Sequence, residues 1–198
     1  MAMIDPIEEG QTPLDEDERE GLLIPSILTR SDLNIFEQQN IEEALQWLIG
    51  RRMSASEVFE NAFTCRLHRL MFGHVWKWAG KFRKTEKNIG IDPIHIPIEL
   101  KKLNDDASYW FHHSTFSPEE TAIRYKHRLV SIHCFANGNG RHSRLTADII
   151  IGDIYKQELF TWGTNRLDGP GEQRKNYLAA IRAADRGDIK PLIAFARS

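Results

Sequence analysis

Twelve consecutive residues, His133-Cys134-Phe135-Ala136-Asn137-Gly138-Asn139-Gly140-Arg141-His142-Ser143-Arg144, bring together a base, a pliable loop and two cations. An imidazole titrating near neutrality can take a proton from a hydroxyl. Two glycines allow positive φ angles and let backbone amides face a ligand. If a helix starts at the end of the loop, its first amides are unpaired and carry the positive end of the helix dipole, which suits an anion. Arg141 and Arg144 stand three apart, so on a helix both guanidinium forks reach one anion. A polyphosphate fits this set better than a single carboxylate. A histidine at a helix end, a Gly-Asn-Gly turn or two surface arginines would each be commonplace alone; their coincidence carries the reading.

Two helices must position these groups. Ser117-Pro118-Glu119-Glu120 combines a capping box with proline at the first helical position. Ala122, Ile123, Leu129, Val130 and Ile132 follow at near-helical spacing, which puts His133 at that helix's C-terminus. Leu145, Ile149 and Ile150 mark the buried side of a second helix, so residues 137–140 form the loop entering it.

The run resembles the Fic family signature, His-Pro-Phe-x-(Asp/Glu)-Gly-Asn-Gly-Arg-x-x-Arg, matching at His133, Phe135, Gly138, Asn139, Gly140, Arg141 and Arg144. Together with Val75-Trp76-Lys77-Trp78-Ala79-Gly80-Lys81-Phe82-Arg83 and Ala183-Ala184-Asp185-Arg186-Gly187-Asp188, the wider chain resembles the branch called mobile mystery protein B. The resemblance implies an all-α Fic fold and transfer of AMP from ATP to a protein hydroxyl. It makes His133 the general base and Phe135 a core anchor. Gly138, Asn139, Gly140 and Arg141 would cradle the phosphates, with Arg144 on the γ-phosphate. Tyr177 falls where relatives build the adenine pocket, although a core tyrosine would look the same. Two positions depart from the signature. Cys134 replaces proline, which loosens the loop. Asn137 replaces the acidic residue that holds Mg²⁺, so an amide oxygen must serve a cation that prefers carboxylates.

Composition sets limits. The chain has 198 residues, 41% hydrophobic and 27% charged, which suits one soluble domain with a substantial core. A net charge of −2 gives no global pull towards nucleic acid or anionic membrane. Cys65 and Cys134 make neither a disulfide framework nor a zinc site. Cys134 reads as a small buried residue rather than a nucleophile. No basic leader and no membrane-length apolar run are present, which predicts a cytoplasmic protein.

Along the chain, residues 1–30 read as an acidic arm and residues 31–198 as a single Fic domain. From Asp5 to Glu20 there are eight acids against one arginine. In the family an inhibitory glutamate occurs in a Ser/Thr-x-x-x-Glu-Gly/Asn segment. Glu20-Gly21 supplies the end of that pattern, which makes Glu20 the inhibitory candidate. A helix over 31–50, capped by Ser31 or Asp32, would present Ile35, Ile41, Leu45, Leu48 and Ile49. Ser54-Ala55-Ser56-Glu57 reads as a capping box opening a helix through about Met71, on which His68 is structural. Seven basic residues between Arg66 and Lys87 surround Trp76 and Trp78, but the tryptophans are expected in the core, so direct nucleic-acid binding is not expected. Asn88-Ile89-Gly90 and Asp92-Pro93 predict a small β-hairpin before a helix over 97–113. In the family that hairpin is the flap, which docks the target protein by strand addition. His112-His113 lacks a third ligand for a metal. Helices over 172–184 and 189–196 complete the chain.

The expected function is therefore protein adenylyltransferase, with ATP as substrate, Mg²⁺ as cofactor and the flap docking an unidentified target. The alternatives are other phosphate-group transfer, AMP removal, or a non-catalytic nucleotide-binding or toxin–antitoxin-like module. The branch name implies mobile elements and a helix-turn-helix companion protein.

Overall fold

The helix that delivers His133 starts as its sequence requires. Ser117 Oγ accepts from the Glu120 amide at 3.2 Å, and Pro118 occupies the first turn. The computed structural model describes residues 16–163 and 171–198. Within them run α1 (Glu16–Arg19), α2 (Arg30–Leu48), α3 (Ala55–Val58), α4 (Asn61–Phe72), α5 (Ile96–His113), α6 (Pro118–Ile132), α7 (Asn139–Ile149), α8 (Glu172–Asp185) and α9 (Lys190–Arg197). A 3₁₀ turn at Pro93–His95 leads into α5, and a π turn at Ile150–Ile154 extends α7. The expected all-α class is observed. Among the described residues there is no sheet, only an isolated antiparallel bridge between Leu22 and Trp76. α6 runs through the middle, packed against α5, α7 and α9.

The expected β-hairpin over 82–96 is not observed. The segment is an irregular loop up to the 3₁₀ turn. Its backbone groups bond to the end of α6 rather than to each other: the Arg83 amide donates to Cys134 O at 2.9 Å. The buried Arg83 guanidinium then takes the carbonyls that strand pairing would need. Nε donates to His133 O at 2.6 Å, Nη1 to Thr85 O at 2.8 Å, and Nη2 to Ile91 O. One arginine thus replaces a ladder.

Two other local expectations shift. Thr29, not Ser31 or Asp32, caps α2; its Oγ1 accepts from the Asp32 amide at 3.1 Å while Asp32 Oδ2 accepts from Thr29 N at 3.0 Å. The helix expected from Ser54 to Met71 is broken into α3 and α4, and Ser54 makes no side-chain cap bond, its hydroxyl meeting Ser56 instead. The apolar face expected for α2 is met only in part: Ile41 is buried and Leu48 packs against the core, but Leu45 is exposed. Ile35 and Ile49 are exposed, while Glu37 and Asn40 are buried. Asn40 earns its burial by donating to Leu70 O at 2.9 Å and accepting from the His74 amide at 2.9 Å.

Residues 18–27 are stitched to the domain. Leu23 N donates to Val75 O, Lys77 N to Gly21 O, and Trp78 Nε1 to Glu18 O. Glu18 also meets Lys87 Nζ at 2.5 Å and Thr85 Oγ1 at 3.2 Å, tying α1 to the irregular loop. Residues 1–15 of the acidic arm lie outside the described residues.

His68 on α4 fixes the motif loop from below. Gly80 N–H donates to Nδ1 at 3.0 Å, so the ring proton sits on Nε2, which donates to Asn137 O at 3.0 Å. The ring also stacks on Phe135 with centroids 3.7 Å apart. Replacing His68 by Leu leaves a buried amide and a buried carbonyl unpaired. Urea melts should show a loss of about 2–4 kcal/mol; a loss below about 1 kcal/mol would mean that the loop does not rely on this ring.

Candidate active site

His133 ends α6 in the left-handed region, φ 57° and ψ 62°, and Gly138 starts α7 at φ 79°. Between them the chain reverses in five residues. Gly138 has no room for a side chain, since a Cβ would lie 2.6 Å from the Phe72 ring. Phe135 is fully buried, which matches the anchoring role implied for it. Asn139 holds the reversal shut: Oδ1 accepts from Phe135 N at 2.9 Å and Nδ2 donates to Phe135 O at 2.7 Å. Its side chain is thus committed to the loop, and what it can offer a phosphate is its backbone amide in the first turn of α7.

His133, Asn137, Gly138, Asn139, Gly140, Arg141, Arg144 and Tyr177 line one cavity of ≈ 570 Å³. Seven of the eight come from a twelve-residue run, and α8 supplies Tyr177. Glu20 is not among the lining residues; it is exposed just after α1. Among the described residues, Glu37 pairs with a motif arginine: its Oε2 lies 2.6 Å from Arg141 Nη2. Its other oxygen accepts from Trp76 Nε1 at 2.6 Å, and Arg141 also lies over the Phe72 ring at 4.9 Å. Arg141 is therefore oriented, with one edge of its fork used.

Sequence reasoning missed several residues of this site. Arg30 and Asn34 of α2, and Arg174, Leu178, Ile181, Arg182 and Asp185 of α8, also line the cavity. The α8 set falls at i, i+4, i+7, i+8 and i+11, a helical stripe that its sequence displays. Nothing in the sequence signalled Lys126. It is fully buried in α6 and donates to Tyr177 Oη at 2.5 Å, with Nζ 4.5 Å from the ring centroid. Arg144 approaches the same ring at 5.7 Å. Burial opposes ionisation of the Tyr177 phenol, but Lys126 and Arg144 outweigh it and hold the phenol below its ordinary value. Burial in turn lowers the Lys126 ammonium, while Tyr177 acts in the opposite direction.

Burial pushes His133 down to about 4, with the Arg83 and Lys87 cations acting in the same direction and a hydrogen bond to the Val130 backbone opposing them. The ring is neutral at pH 7, the form that accepts a proton. Gly90, at φ 104°, lies against it; a Cβ there would sit 2.6 Å from His133 Cβ. Burial raises the Cys134 thiol, which keeps it protonated and inert.

The donor set does not fit a protein-held Mg²⁺. Asn137 Oδ1 already accepts from the Gly138 amide at 2.6 Å. Among the described residues no group of three His, Cys, Asp or Glu side chains could hold a metal. Among the described residues Asp185 is the carboxylate in the cavity wall, and it bonds to His127 Nε2 at 2.7 Å.

These features define a helical protein with an arginine-lined anion cavity at a helix N-terminus, beside a neutral histidine. Residues 58–151 match the model of the Fic/DOC family. Over 133 residues, 65% of this chain, it is 32% identical to the protein named "Protein adenylyltransferase Fic" of Drosophila virilis and to that of Drosophila melanogaster. The chain spans about a quarter of the length of these curated relatives, 26% and 25%. Among solved structures, a Fic domain of a Bartonella quintana effector superposes with TM-score 0.69 at 18% identity, covering 91% of each chain. Fic-1 of C. elegans gives TM-score 0.65 at 23% identity, covering 90% of this chain and 51% of that one. BepC of Bartonella tribocorum, solved with bound AMPPNP, gives 0.66 at 18% identity, covering 92% and 97%. These likenesses establish the fold. No helix among the described residues is long and apolar enough to cross a membrane.

The depressed His133 pKa has a sign that can be checked. A histidine with a folded pKa near 4 and an unfolded pKa near 6.5 contributes stability that is complete above 6.5 and lost as pH falls towards 4. Unfolding free energy should therefore decline between about pH 6.5 and 4, and His133→Asn should make the decline shallower. An unchanged slope would mean that His133 titrates normally.

Proposed function

We propose that this protein is a protein adenylyltransferase, moving AMP from ATP to a Ser, Thr or Tyr hydroxyl of a target protein. The observation that carries the reading is one cavity containing a neutral His133, the N-terminus of α7 and the Arg141–Arg144 pair. Its volume, ≈ 570 Å³, lies within the range of small-molecule sites, ~300–1,000 Å³. The names of the Drosophila relatives point to the same chemistry.

In this reading the phosphates rest on the first amides of α7 and on both arginines, with the base and ribose towards Tyr177, Leu178 and Ile181. His133 removes the proton of the target hydroxyl. The hydroxyl oxygen bonds to the α-phosphorus as the bond to the α,β-bridging oxygen breaks, and pyrophosphate leaves. Positioning and fixed charge supply most of the acceleration. Asn137 stands at the position where the resemblance places a metal ligand, and any Mg²⁺ would have to come with the ATP, supplying charge neutralisation of the phosphates. The loop over 82–92 is the surface on which the target segment docks. The reading also includes the mobile mystery protein B branch, a cytoplasmic setting and a helix-turn-helix companion, each following from the resemblance alone. The arm over 1–30 and the domain over 31–198 remain the proposed division.

Label from α-labelled ATP should appear on the protein itself or on lysate proteins. His133→Ala should lower the labelling rate by about 10²–10⁴-fold while leaving nucleotide binding intact. Glu20 is exposed and outside the cavity, so Glu20→Gly should label as wild type does; a rise would restore that residue to the site. No label from any variant would overturn the assignment and favour the non-catalytic reading.

A further inference from the structure

α2 begins outside the segment that matches the family and closes one side of the cavity. Arg30, Asn34 and Glu37 stand at i, i+4 and i+7, so they share one face of the helix. Glu37 fastens that face to Arg141 at 2.6 Å, and Arg30 and Asn34 both line the cavity. Along the axis Arg30 lies roughly 10 Å from Glu37. The stripe therefore runs from one motif arginine along the cavity wall.

Arg30 differs from the arginines that hold the fold together. Arg124 is paired with Glu120, Arg128 with Asp106, Arg141 with Glu37 and Arg197 with Glu119. Arg30 Nε is buried with no hydrogen-bond partner, although the residue borders a cavity that also holds Arg141 and Arg144. A buried donor without an acceptor is costly and calls for an explanation. Arg30 also shares this cavity with arginines from α7 and α8, an arrangement that suits an anionic ligand.

We propose that Arg30 is a further phosphate-binding residue, which meets the β- and γ-phosphates of a nucleoside triphosphate and makes the site discriminate triphosphate from monophosphate. This rests on the nucleotide reading above. In the transfer reaction the same contact would hold the departing pyrophosphate. The planar fork suits two phosphate oxygens, which lysine matches only as a point charge.

Calorimetric titration tests this, using AMP, inorganic tripolyphosphate and an ATP analogue with a methylene bridge between the α- and β-phosphorus atoms, which cannot transfer AMP. Arg30→Gln should weaken binding of the analogue and of tripolyphosphate by about tenfold or more. AMP affinity should stay within about twofold, and Arg30→Lys should recover part of the loss. Equal weakening of AMP and the analogue would overturn the proposal, because a general displacement of α2 would then explain the change. Unchanged binding of all three would overturn it as well, while leaving the nucleotide reading in place. Arg30-dependent binding of tripolyphosphate, with the analogue binding no more tightly and AMP not at all, would support the anion contact and overturn the nucleotide reading instead.

Discussion

A neutral, fully buried imidazole holds the active loop in place. His68 can accept from the Gly80 amide and donate to Asn137 O only while it carries one proton. Burial drives its pKa well below the ordinary value, and the neighbouring His142 acts in the same direction. Burial thus fixes the neutral state, and the Gly80 amide fixes the tautomer. Through it α4, the tryptophan segment and the motif loop share one point of registration. Phe135 stacks on that ring, Asn139 clamps Phe135, and α7 begins immediately afterwards. The position of the helix N-terminus, and so of any bound phosphate, follows from this chain of contacts.

A second constraint acts from the opposite side. α2 buries Glu37 and Asn40 alongside Leu33, Ile41 and Ala44, while Ile35 is left exposed. Its buried carboxylate Glu37 accepts from an indole and a guanidinium at once. A buried charge on these terms adds little to stability, because desolvation offsets much of the attraction. What it provides is orientation: Arg141 is held by its partner and by the Phe72 ring, and the rest of its fork is available to a ligand. Stability given up on α2 reappears as order in the site.

The legibility of the sequence follows from the range of the forces involved. Helices α5 to α9 announce themselves through local signals, such as Ser117-Pro118, Pro97, Gly138 and an apolar period, and these need no partner elsewhere in the chain. The motif was legible for the same reason, being twelve contiguous residues. What could not be read depends on contacts distant in sequence. The hairpin gives way to a loop in which Arg83 binds the nearby Thr85 and Ile91 carbonyls while reaching His133 O, 50 positions away. The face of α2 is read only in part, because Glu37 looks like a solvent residue until Arg141, 104 positions away, is beside it. Lys126 carries no local signal at all; its burial makes sense only against Tyr177, 51 positions on.

The distribution of charge then bears on how such a cavity handles a polyphosphate. In this chain the motif position before Gly138 is an amide, and the one carboxylate in the described cavity wall, Asp185, is bonded to His127. Cationic groups converge instead: arginines from α2, α7 and α8 line the cavity, with Lys126 behind Tyr177. Guanidinium forks neutralise phosphate oxygens without requiring carboxylates to hold an ion, and they do so with directional hydrogen bonds. Binding energy placed on the β- and γ-phosphates is also placed on the leaving group, so it continues to act as the α,β bond breaks. An asparagine at position 137 is consistent with this arrangement. The loop uses its side-chain oxygen to secure the Gly138 amide, and in the proposed nucleotide complex the charge on the phosphates would be met by arginines carried on three separate helices.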